Sequence, residues 1–479
     1  MVVSGQTFTT LHTFTGADGN GSLSRLVQAA DGDLYGTTEY GGVDNCTEGC
    51  GTVFKITPSG SLTTLYRFCE NPTCADGTGG YYPQAGLVQA ADGDFYGTTP
   101  FGGPNDGGTV FKITPSGTLT TLYYFCPVYG ACPDGVGPSG LVQAADGNFY
   151  GTTSSGGAYS DGGGTVFKIT PSGTLTTIYS FCSPYDPCPL GVLPNELVQA
   201  TDGDFYGTTY WGGATVGGIG NGSGTLFKIT PNGMLTTLHT FCSQAPCADG
   251  ESPYARLVQA ANGAFDGDLY GTTAGGGVDD AGTVFKITLG GTLTTLVNNG
   301  QFCGTCAAGM DPLGELVQGS DGDFYGVTST GGVAVYCGAI FKVTPSGALT
   351  TLEDFDPSNG CNPYAGLVQD TNGIFYGTTR YGGAGGGAKG DGTVFSLSVG
   401  LGPFVKTQPV FGSVGKGVEI LGTNLTGATS VTFNGTPAVF TVESSSLITT
   451  TVPVGASTGI VQVVTLGGAL SSPELFWVR

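Results

Sequence analysis

Histidine, charged residues and basic clusters are scarce in this chain of 479 residues. It contains two histidines, His12 and His239, and only 10% of its residues are charged. A Ser-His-Asp triad or a histidine-ligated metal site therefore has almost no imidazole to use. The 14 lysines and arginines are scattered among 36 acidic residues, giving a formal net charge of −22. We therefore expect no nucleic-acid partner.

Long apolar runs are also missing. No stretch is long enough for a transmembrane helix, so we expect no membrane insertion. Residues Met1 to Gly5 lack the basic start and apolar core of a signal peptide. We interpret the chain as a mature or truncated form, with no lipid or sorting tail after Arg479.

Cysteine, in contrast, is abundant. Fourteen cysteines favour disulfides in an oxidising compartment, and we predict an extracellular or cell-surface location. Zinc is the competing interpretation for Cys303 and Cys306, because theirs is the only Cys-x2-Cys spacing. The predicted pairs are Cys46–Cys50, Cys69–Cys74, Cys126–Cys132, Cys182–Cys188, Cys242–Cys247, Cys303–Cys306 and Cys337–Cys361.

Glycine is abundant, with 89 residues. Many of the glycines lie in the turns between the parts of a repeat of about 57 residues. Each repeat unit contains four short runs rich in β-branched and aromatic residues, which predict four strands. We name them a (Leu-Val-Gln), b (Phe-Tyr-Gly-Thr-Thr), c (Val-Phe-Lys-Ile-Thr) and d (Leu-Thr-Thr-Leu-Tyr). Units 1 to 7 have their Leu-Val-Gln segments at Leu26, Leu87, Leu141, Leu197, Leu257, Leu316 and Leu367.

Strand d of unit 7 is missing from its place after Val394–Leu397, and a matching segment lies at the N-terminus, from Thr7 to Phe14. A ring of four-stranded blades has no open edge if this first strand completes the last blade. We therefore predict an all-β fold, a seven-bladed β-propeller over residues 1–399. The alternative is an open β-solenoid or a string of separate small sheets.

Recurring charges are interpreted as structural. Six units carry a lysine at one position of strand c, for which we predict ion pairs with carboxylates of a neighbouring blade. The aspartates of the a/b hairpins are predicted turn formers. We predict no cofactor, with calcium on the d/a loops through Asp18, Asp76, Asp134 and Asp249 as the alternative. The lysines are Lys55, Lys112, Lys168, Lys228, Lys286 and Lys342.

The sequence changes character after the linker Gly400–Pro403. Gly422-Thr423-Asn424-Leu425 and Val431-Thr432-Phe433-Asn434-Gly435-Thr436-Pro437-Ala438 resemble the IPT/TIG immunoglobulin-like family. The resemblance implies a small β-sandwich over residues 400–479 that acts as a spacer or adhesion module.

The repeats themselves resemble the GloVer-type tandem repeat of bacterial exported proteins. The resemblance rests on Gly-Leu-Val-Gln-Ala, Asp-Gly-Asp-Phe-Tyr-Gly-Thr-Thr and Gly-Thr-Val-Phe-Lys-Ile-Thr-Pro-Ser-Gly, as at Gly86–Ala90, Asp92–Thr99 and Gly108–Gly117. It implies an exported, surface-associated protein. The strand order is also similar to that of NHL-type propeller repeats.

Function is expected on the face that carries the b/c and d/a loops, because nearly all variation among the units lies there. Aromatic side chains among Asp, Asn and Gly on this face favour a glycan or protein ligand, with surface decoration as the structural alternative. We expect a monomeric binding or adhesion protein without catalytic residues. An exported hydrolase or lyase acting on polysaccharide is the alternative. The candidate ligand-binding residues are Tyr40, Phe101, Tyr210, Trp211, Arg380 and Tyr381.

Overall fold

The computed structural model describes residues 5–478 except 44, 45, 47, 71–78, 129, 131, 160–161, 183–187, 214–221, 261–266, 299, 304–306, 333–335 and 384–389. Regular structure in these ranges is β, apart from one 3-10 turn at Val278–Asp280. No helix there is long and apolar enough to span a membrane. The all-β prediction is therefore confirmed.

Units 1 to 4 form antiparallel sheets in the order a-b-c-d, because each strand is joined to the next by a tight turn. In unit 1, Asp31 accepts a hydrogen bond from the backbone N–H of Asp33, which closes the predicted a/b turn. The strands are β2 (Val27–Gln28), β3 (Leu34–Thr38), β4 (Thr52–Ile56) and β5 (Leu62–Arg67); β6 (Gly80–Tyr81), β7 (Val88–Gln89), β8 (Phe95–Thr99), β9 (Phe101–Gly102), β10 (Thr109–Ile113) and β11 (Leu119–Tyr124); β12 (Val136–Gln143), β13 (Phe149–Ser155), β14 (Thr165–Ile169) and β15 (Leu175–Ser180); β16 (Val192–Pro194), β17 (Val198–Gln199), β18 (Phe205–Trp211), β19 (Thr225–Ile229) and β20 (Leu235–Thr240).

Units 5 to 7 repeat the pattern, and the N-terminal strand completes the last sheet. β1 (Thr7–Thr13) pairs antiparallel with the c strand of unit 7, Phe8 opposite Leu397, as the displaced segment predicted. The strands are β21 (Val258–Gln259), β22 (Leu269–Thr273), β23 (Thr283–Ile287) and β24 (Leu293–Val297); β25 (Val317–Gln318), β26 (Phe324–Thr328), β27 (Ala339–Val343) and β28 (Leu349–Asp354); β29 (Val368–Gln369), β30 (Phe375–Thr379) and β31 (Thr393–Ser398).

Neighbouring units are joined by two repeated contacts. The buried tyrosine of strand b stacks on the strand-b phenylalanine of the next unit, as in the Tyr35–Phe95 pair, whose ring centroids are 4.1 Å apart. The strand-a glutamine accepts a hydrogen bond from the preceding unit's backbone, as Gln89 does from Ala30. Gln28 makes the same contact with Thr371, so units 1 and 7 are neighbours in space.

The recurring lysines do not bridge units. Lys55 lies 3.0 Å from Asp31 and 2.6 Å from Asp33, both in the a/b hairpin of its own unit. Lys168 and Lys228 likewise pair with acids of their own hairpins. The prediction of pairs with a neighbouring blade was wrong, because strand c lies beside strand b and reaches the turn that begins it.

The C-terminal strands form two sheets around a separate core that includes Val418, Phe433 and Phe476. One sheet has the order β32-β34-β38-β37 and the other β33-β40-β39-β35-β36. The strands are β32 (Lys406–Gln408), β33 (Phe411–Gly412), β34 (Gly417–Leu421), β35 (Ser430–Phe433), β36 (Thr436–Pro437), β37 (Phe440–Val442), β38 (Leu447–Thr451), β39 (Gly459–Thr465) and β40 (Gly468–Val478).

This C-terminal sandwich packs against the a/b turns of the repeats. Ser446 donates a 2.8 Å hydrogen bond to the carbonyl of Ala30, and Gln408 donates one of 2.7 Å to the carbonyl of Gln89. Thr423 and Thr371 are joined by their hydroxyls at 3.0 Å. The sandwich therefore covers the end of the repeat array opposite the b/c and d/a loops.

Candidate functional site

All seven units contribute to one pocket at the end that carries the b/c and d/a loops. Its volume is about 440 Å³, within the range of small-molecule sites. Each lining residue either precedes strand a or follows strand b. We call this cavity the common pocket. Its polar and aromatic lining includes Arg25, Glu196, Tyr210, Tyr254, Arg256, Glu315, Tyr364 and Arg380.

The residue immediately before Leu-Val-Gln lies at a bulge. In unit 3, Pro138 pairs with Thr153 and Leu141 with Gly151, so two residues of β12, including Gly140, face one residue of β13. A bulge redirects a side chain out of the sheet's alternation. At this position the seven units carry Arg25, Gly86, Gly140, Glu196, Arg256, Glu315 and Gly366, and all of them except Gly140 line the common pocket.

The three glycines leave space for the long charged side chains that other units carry at this position. A Cβ on Gly140 would overlap the carboxylate of Glu196, and one on Gly366 would overlap the side chain of Glu315. A Cβ on Gly86 would lie 2.7 Å from Cγ of Arg25. Each of these side chains therefore lies across a glycine of another unit.

Glu315 forms the one ion pair within this group, with its Oε1 3.1 Å from Nη1 of Arg25. The two side chains keep 15% and 28% of their exposure because they face the open pocket, although protein surrounds them on the other sides. Burial raises the pKa of Glu196, outweighing the attraction of Arg25. The two acids thus occupy different electrostatic environments.

Arg256 is the arginine of this group that has no ion-pair partner among the described residues. Among the described residues, no carboxylate lies within ion-pairing distance of its guanidinium, and its buried Nε has no hydrogen-bond acceptor. Burial, followed by repulsion from Arg25, lowers the pKa of Arg256 to about 10. It still carries its positive charge at neutral pH.

The predicted ligand-binding residues fall into two groups, because successive side chains along a strand point to opposite sides. Tyr210 and Arg380, the first residues after their Gly-Thr-Thr segments, line the common pocket. The second residues, which alternate to the other side, do not line it. These are Tyr40, Phe101, Trp211 and Tyr381.

The aromatic residues of units 7, 1 and 2 form two groups of ring contacts. Tyr82 links Tyr40 and Phe101, with ring centroids 5.2 Å and 6.1 Å away. The Arg380 guanidinium lies 5.1 Å from the Tyr381 ring centroid and 5.6 Å from that of Tyr364. Across the pocket, Tyr210 contacts Trp211 and Tyr254.

Arg380 is also neutralised by protein. Its Nη2 lies 3.2 Å from Oε2 of Glu39, which keeps only 5% of its side-chain exposure. Gln84 donates a 2.7 Å hydrogen bond to the other oxygen of that carboxylate. Units 7, 1 and 2 are therefore joined by a fixed polar network at the pocket wall.

Sequence reasoning missed the charged residues before Leu-Val-Gln and the d/a-loop tyrosines Tyr82, Tyr254 and Tyr364. A usable signal was present, since the position is glycine in some units and Arg or Glu in others while the Leu-Val-Gln that follows it is the same in all seven. It was missed because strand a was interpreted as scaffold.

The described cysteines and both histidines lie outside this pocket. Both imidazoles contact acids, His12 with Asp18 at 2.9 Å and His239 with Asp249 at 2.8 Å. Asp134, a third candidate calcium ligand, accepts a hydrogen bond from Tyr123, and Asp76 lies outside the described residues.

Five predicted disulfides are formed. Cys69 and Cys303 are also disulfide-bonded, and their predicted partners, Cys74 and Cys306, lie outside the described residues. Cysteine clusters such as Cys46, Cys50 and Cys69 thus use their sulfurs in disulfides. The five described bonds are Cys46–Cys50, Cys126–Cys132, Cys182–Cys188, Cys242–Cys247 and Cys337–Cys361.

Two family models match the chain. The Gloeobacter/Verrucomicrobia repeat matches residues 1–136, 73–265 and 261–439. The IPT/TIG domain matches residues 405–476. No curated protein matches the chain.

Solved structures with a similar fold share little sequence identity. A fungal alcohol oxidase of the AA5 family, in complex with copper, is 12% identical with a TM-score of 0.54, and 100% of each chain is covered. PorZ, a surface component of the type-IX secretion system of Porphyromonas gingivalis, is 15% identical with a TM-score of 0.48, covering 96% of this chain and 59% of PorZ. The likeness to the oxidase concerns the fold alone.

Proposed function

We propose that this chain, which belongs to the Gloeobacter/Verrucomicrobia repeat family and carries an IPT/TIG domain, is an exported binding protein that recognises a glycan in the common pocket. Residues 1–399 form a closed seven-bladed β-propeller, and residues 400–479 form the immunoglobulin-like domain on its far end. The pairing of β1 with β31 and the Gln28–Thr371 contact support ring closure. The disulfides support an extracellular or cell-surface location.

One observation carries the glycan assignment: tyrosine rings and charged hydrogen-bonding groups line the same cavity. Tyr210, Tyr254 and Tyr364 offer aromatic faces at the wall, and Arg25 and Glu315 lie among them. Flat apolar faces of sugar rings pack against aromatic rings, while sugar hydroxyls both donate to carboxylates and accept from guanidinium groups. The C-terminal domain covers the other end, where a second cavity of about 660 Å³ also reaches Arg25 and Arg256. Because the tyrosine rings lie at the loop end, we expect the ligand to bind from that face.

The test is glycan binding by the full chain on an array of polysaccharides and oligosaccharides. We expect Tyr210→Ala and Tyr254→Ala to weaken binding at least about tenfold, since stacking areas are lost. Tyr336→Ala is the control, because Tyr336 is 77% exposed and does not line the pocket. Glycan binding that survives both pocket substitutions, or no glycan binding at all, contradicts the proposal.

A second candidate function, a hydrolase or lyase acting on polysaccharide, is favoured by the two pocket carboxylates. Glu315 is held by Arg25, whereas burial raises the pKa of Glu196. A carboxyl group whose pKa is raised by burial, in the same pocket as a second carboxylate, is an arrangement that can supply acid and base roles. Release of reducing ends or unsaturated products by the wild type, lost in Glu196→Gln, is expected for this function. Unchanged polysaccharide contradicts it.

A further inference from the structure

We propose that the glycan held in the common pocket carries a carboxylate, as uronic acids do, and that the guanidinium of Arg256 binds it. This inference rests on the proposed function and names the ligand class. Its basis is that Arg256 lacks a protein partner in a pocket where the other cations have one.

The neighbouring acids attract the charge of Arg256 but form no ion pair with it. Glu196 of unit 4 extends over Gly140 of unit 3, and Glu315 of unit 6 extends over Gly366 of unit 7. Glu315 then pairs with Arg25. Each acid occupies space that is free because an adjacent unit has glycine at this position. The sequence of the repeats therefore places both acids where they form no ion pair with Arg256.

The remaining pocket cations are compensated. Arg25 has Glu315 at 3.1 Å and Arg380 has Glu39 at 3.2 Å. In the described part of the chain, Arg256 has no such partner, and its Nε is buried without an acceptor. A partly desolvated guanidinium that attracts Glu315 and Glu196 only from beyond ion-pairing distance is costly, and its planar fork matches a carboxylate with two parallel hydrogen bonds.

The aromatic wall lies beside this cation. Tyr254 precedes Arg256 by two residues, both line the pocket, and Tyr210 contacts Tyr254 with ring centroids 6.1 Å apart. A ligand that stacks here and reaches Arg256 has an apolar ring face and an acidic group on the same ring. A uronic acid residue has this combination.

The experiment measures binding of the full chain to oligomers of galacturonate, glucuronate and guluronate by calorimetry, each beside its neutral methyl ester. We expect at least one acid oligomer to bind about tenfold more tightly than its ester, since the charge-assisted bonds are lost on esterification. Arg256→Gln should lower the affinity for the acid oligomer by a larger factor than the affinity for its ester, and so remove most of this preference. Arg256→Lys keeps the positive charge but not the planar guanidinium, and it should retain part of the preference for the acid. It provides a second test if the glutamine variant does not fold. Arg67→Gln, at a residue outside the pocket lining, is the control.

Each outcome decides between the claims. Tight binding of neutral glycans with no preference for the acid, or a preference that Arg256→Gln leaves intact, overturns the carboxylate inference and leaves the glycan function standing. Binding of an acidic peptide but of no uronate oligomer overturns the assignment to a glycan. Absence of binding to any glycan removes the proposed function and the inference together.

Discussion

At the scale of single residues, one position of the repeat builds the centre of the candidate site. The residue before Leu-Val-Gln is glycine in three units and Arg or Glu in the other four. Long side chains can converge there only because glycines beyond them leave volume free. The site thus depends as much on Gly86, Gly140 and Gly366 as on the charges.

Glu196→Gln should raise the stability of the protein at neutral pH. Burial raises the pKa of the Glu196 carboxyl in the folded state, so its ionisation opposes folding as the pH rises above the ordinary glutamate pKa of about 4.3. Glutamine has no such charge. We expect the melting temperatures of the two proteins to coincide at pH 3 to 4 and the variant to melt higher at pH 7. A variant that melts lower at pH 7 would show that Glu196 is stabilised as an anion.

Gly140→Ala should destabilise the protein by about 1–3 kcal/mol, because the new Cβ overlaps the Glu196 carboxylate and forces it to move. Urea unfolding measures the change. Gly290→Ala is the matched control, since a Cβ there meets only Thr288 Oγ1 at 3.8 Å. Equal effects at the two glycines would contradict the steric argument.

At the scale of elements, the disulfides differ in how much chain they enclose. Cys337–Cys361 spans 24 residues and ties a b/c loop to the d/a loop that follows in sequence, whereas Cys46–Cys50 spans four. Loop closure in the unfolded chain depends on this length.

Removal of Cys337–Cys361 by serine at both positions should therefore cost more than removal of Cys46–Cys50. Chain entropy gives about 3 kcal/mol for the longer loop and about 2 kcal/mol for the shorter. Denaturant unfolding of the two double variants beside the wild type makes the comparison. A larger loss from the shorter loop would mean that native packing, not chain entropy, dominates.

The strand pattern was predictable because local chemistry repeats seven times. Alternating β-branched and aromatic residues, Asp-Gly turns and the displaced segment from Thr7 to Phe14 predicted the elements and their order. Strand a is the exception. It extends further in unit 3, over Val136–Gln143, because d/a-loop backbone pairs with residues after strand b beyond a bulge.

At the scale of the whole molecule, the N-terminal strand joins the first and last units. Phe8 stacks on Phe395 of unit 7, with ring centroids 5.4 Å apart. Phe14, only 2% exposed, packs edge-on against Phe54 of unit 1. The N-terminal strand and the residue that follows it thus contact both sides of the junction.

Phe14→Ala should destabilise the repeat array by about 3–5 kcal/mol, the usual cost of truncating a buried phenylalanine. Guanidinium unfolding measures the loss. Met234→Ala, at a side chain that is 73% exposed, should change stability by less than about 0.5 kcal/mol. A loss at Phe14 no larger than that at Met234 would show that the junction does not limit stability.

The sequence alone determined the repeat, the strands within it, the closing strand and the local cysteine pairs, because each depends on residues close in the chain or on periodic pattern. The tertiary structure alone decided which loop residues share a cavity, and it separated Tyr210 and Arg380 from Tyr40 and Trp211. It also decided that Glu196 and Glu315 lie over glycines of other units. It placed the C-terminal domain at the end of the repeats opposite the loop face. These features depend on distances between units hundreds of residues apart, and a local pattern carries no measure of such distances.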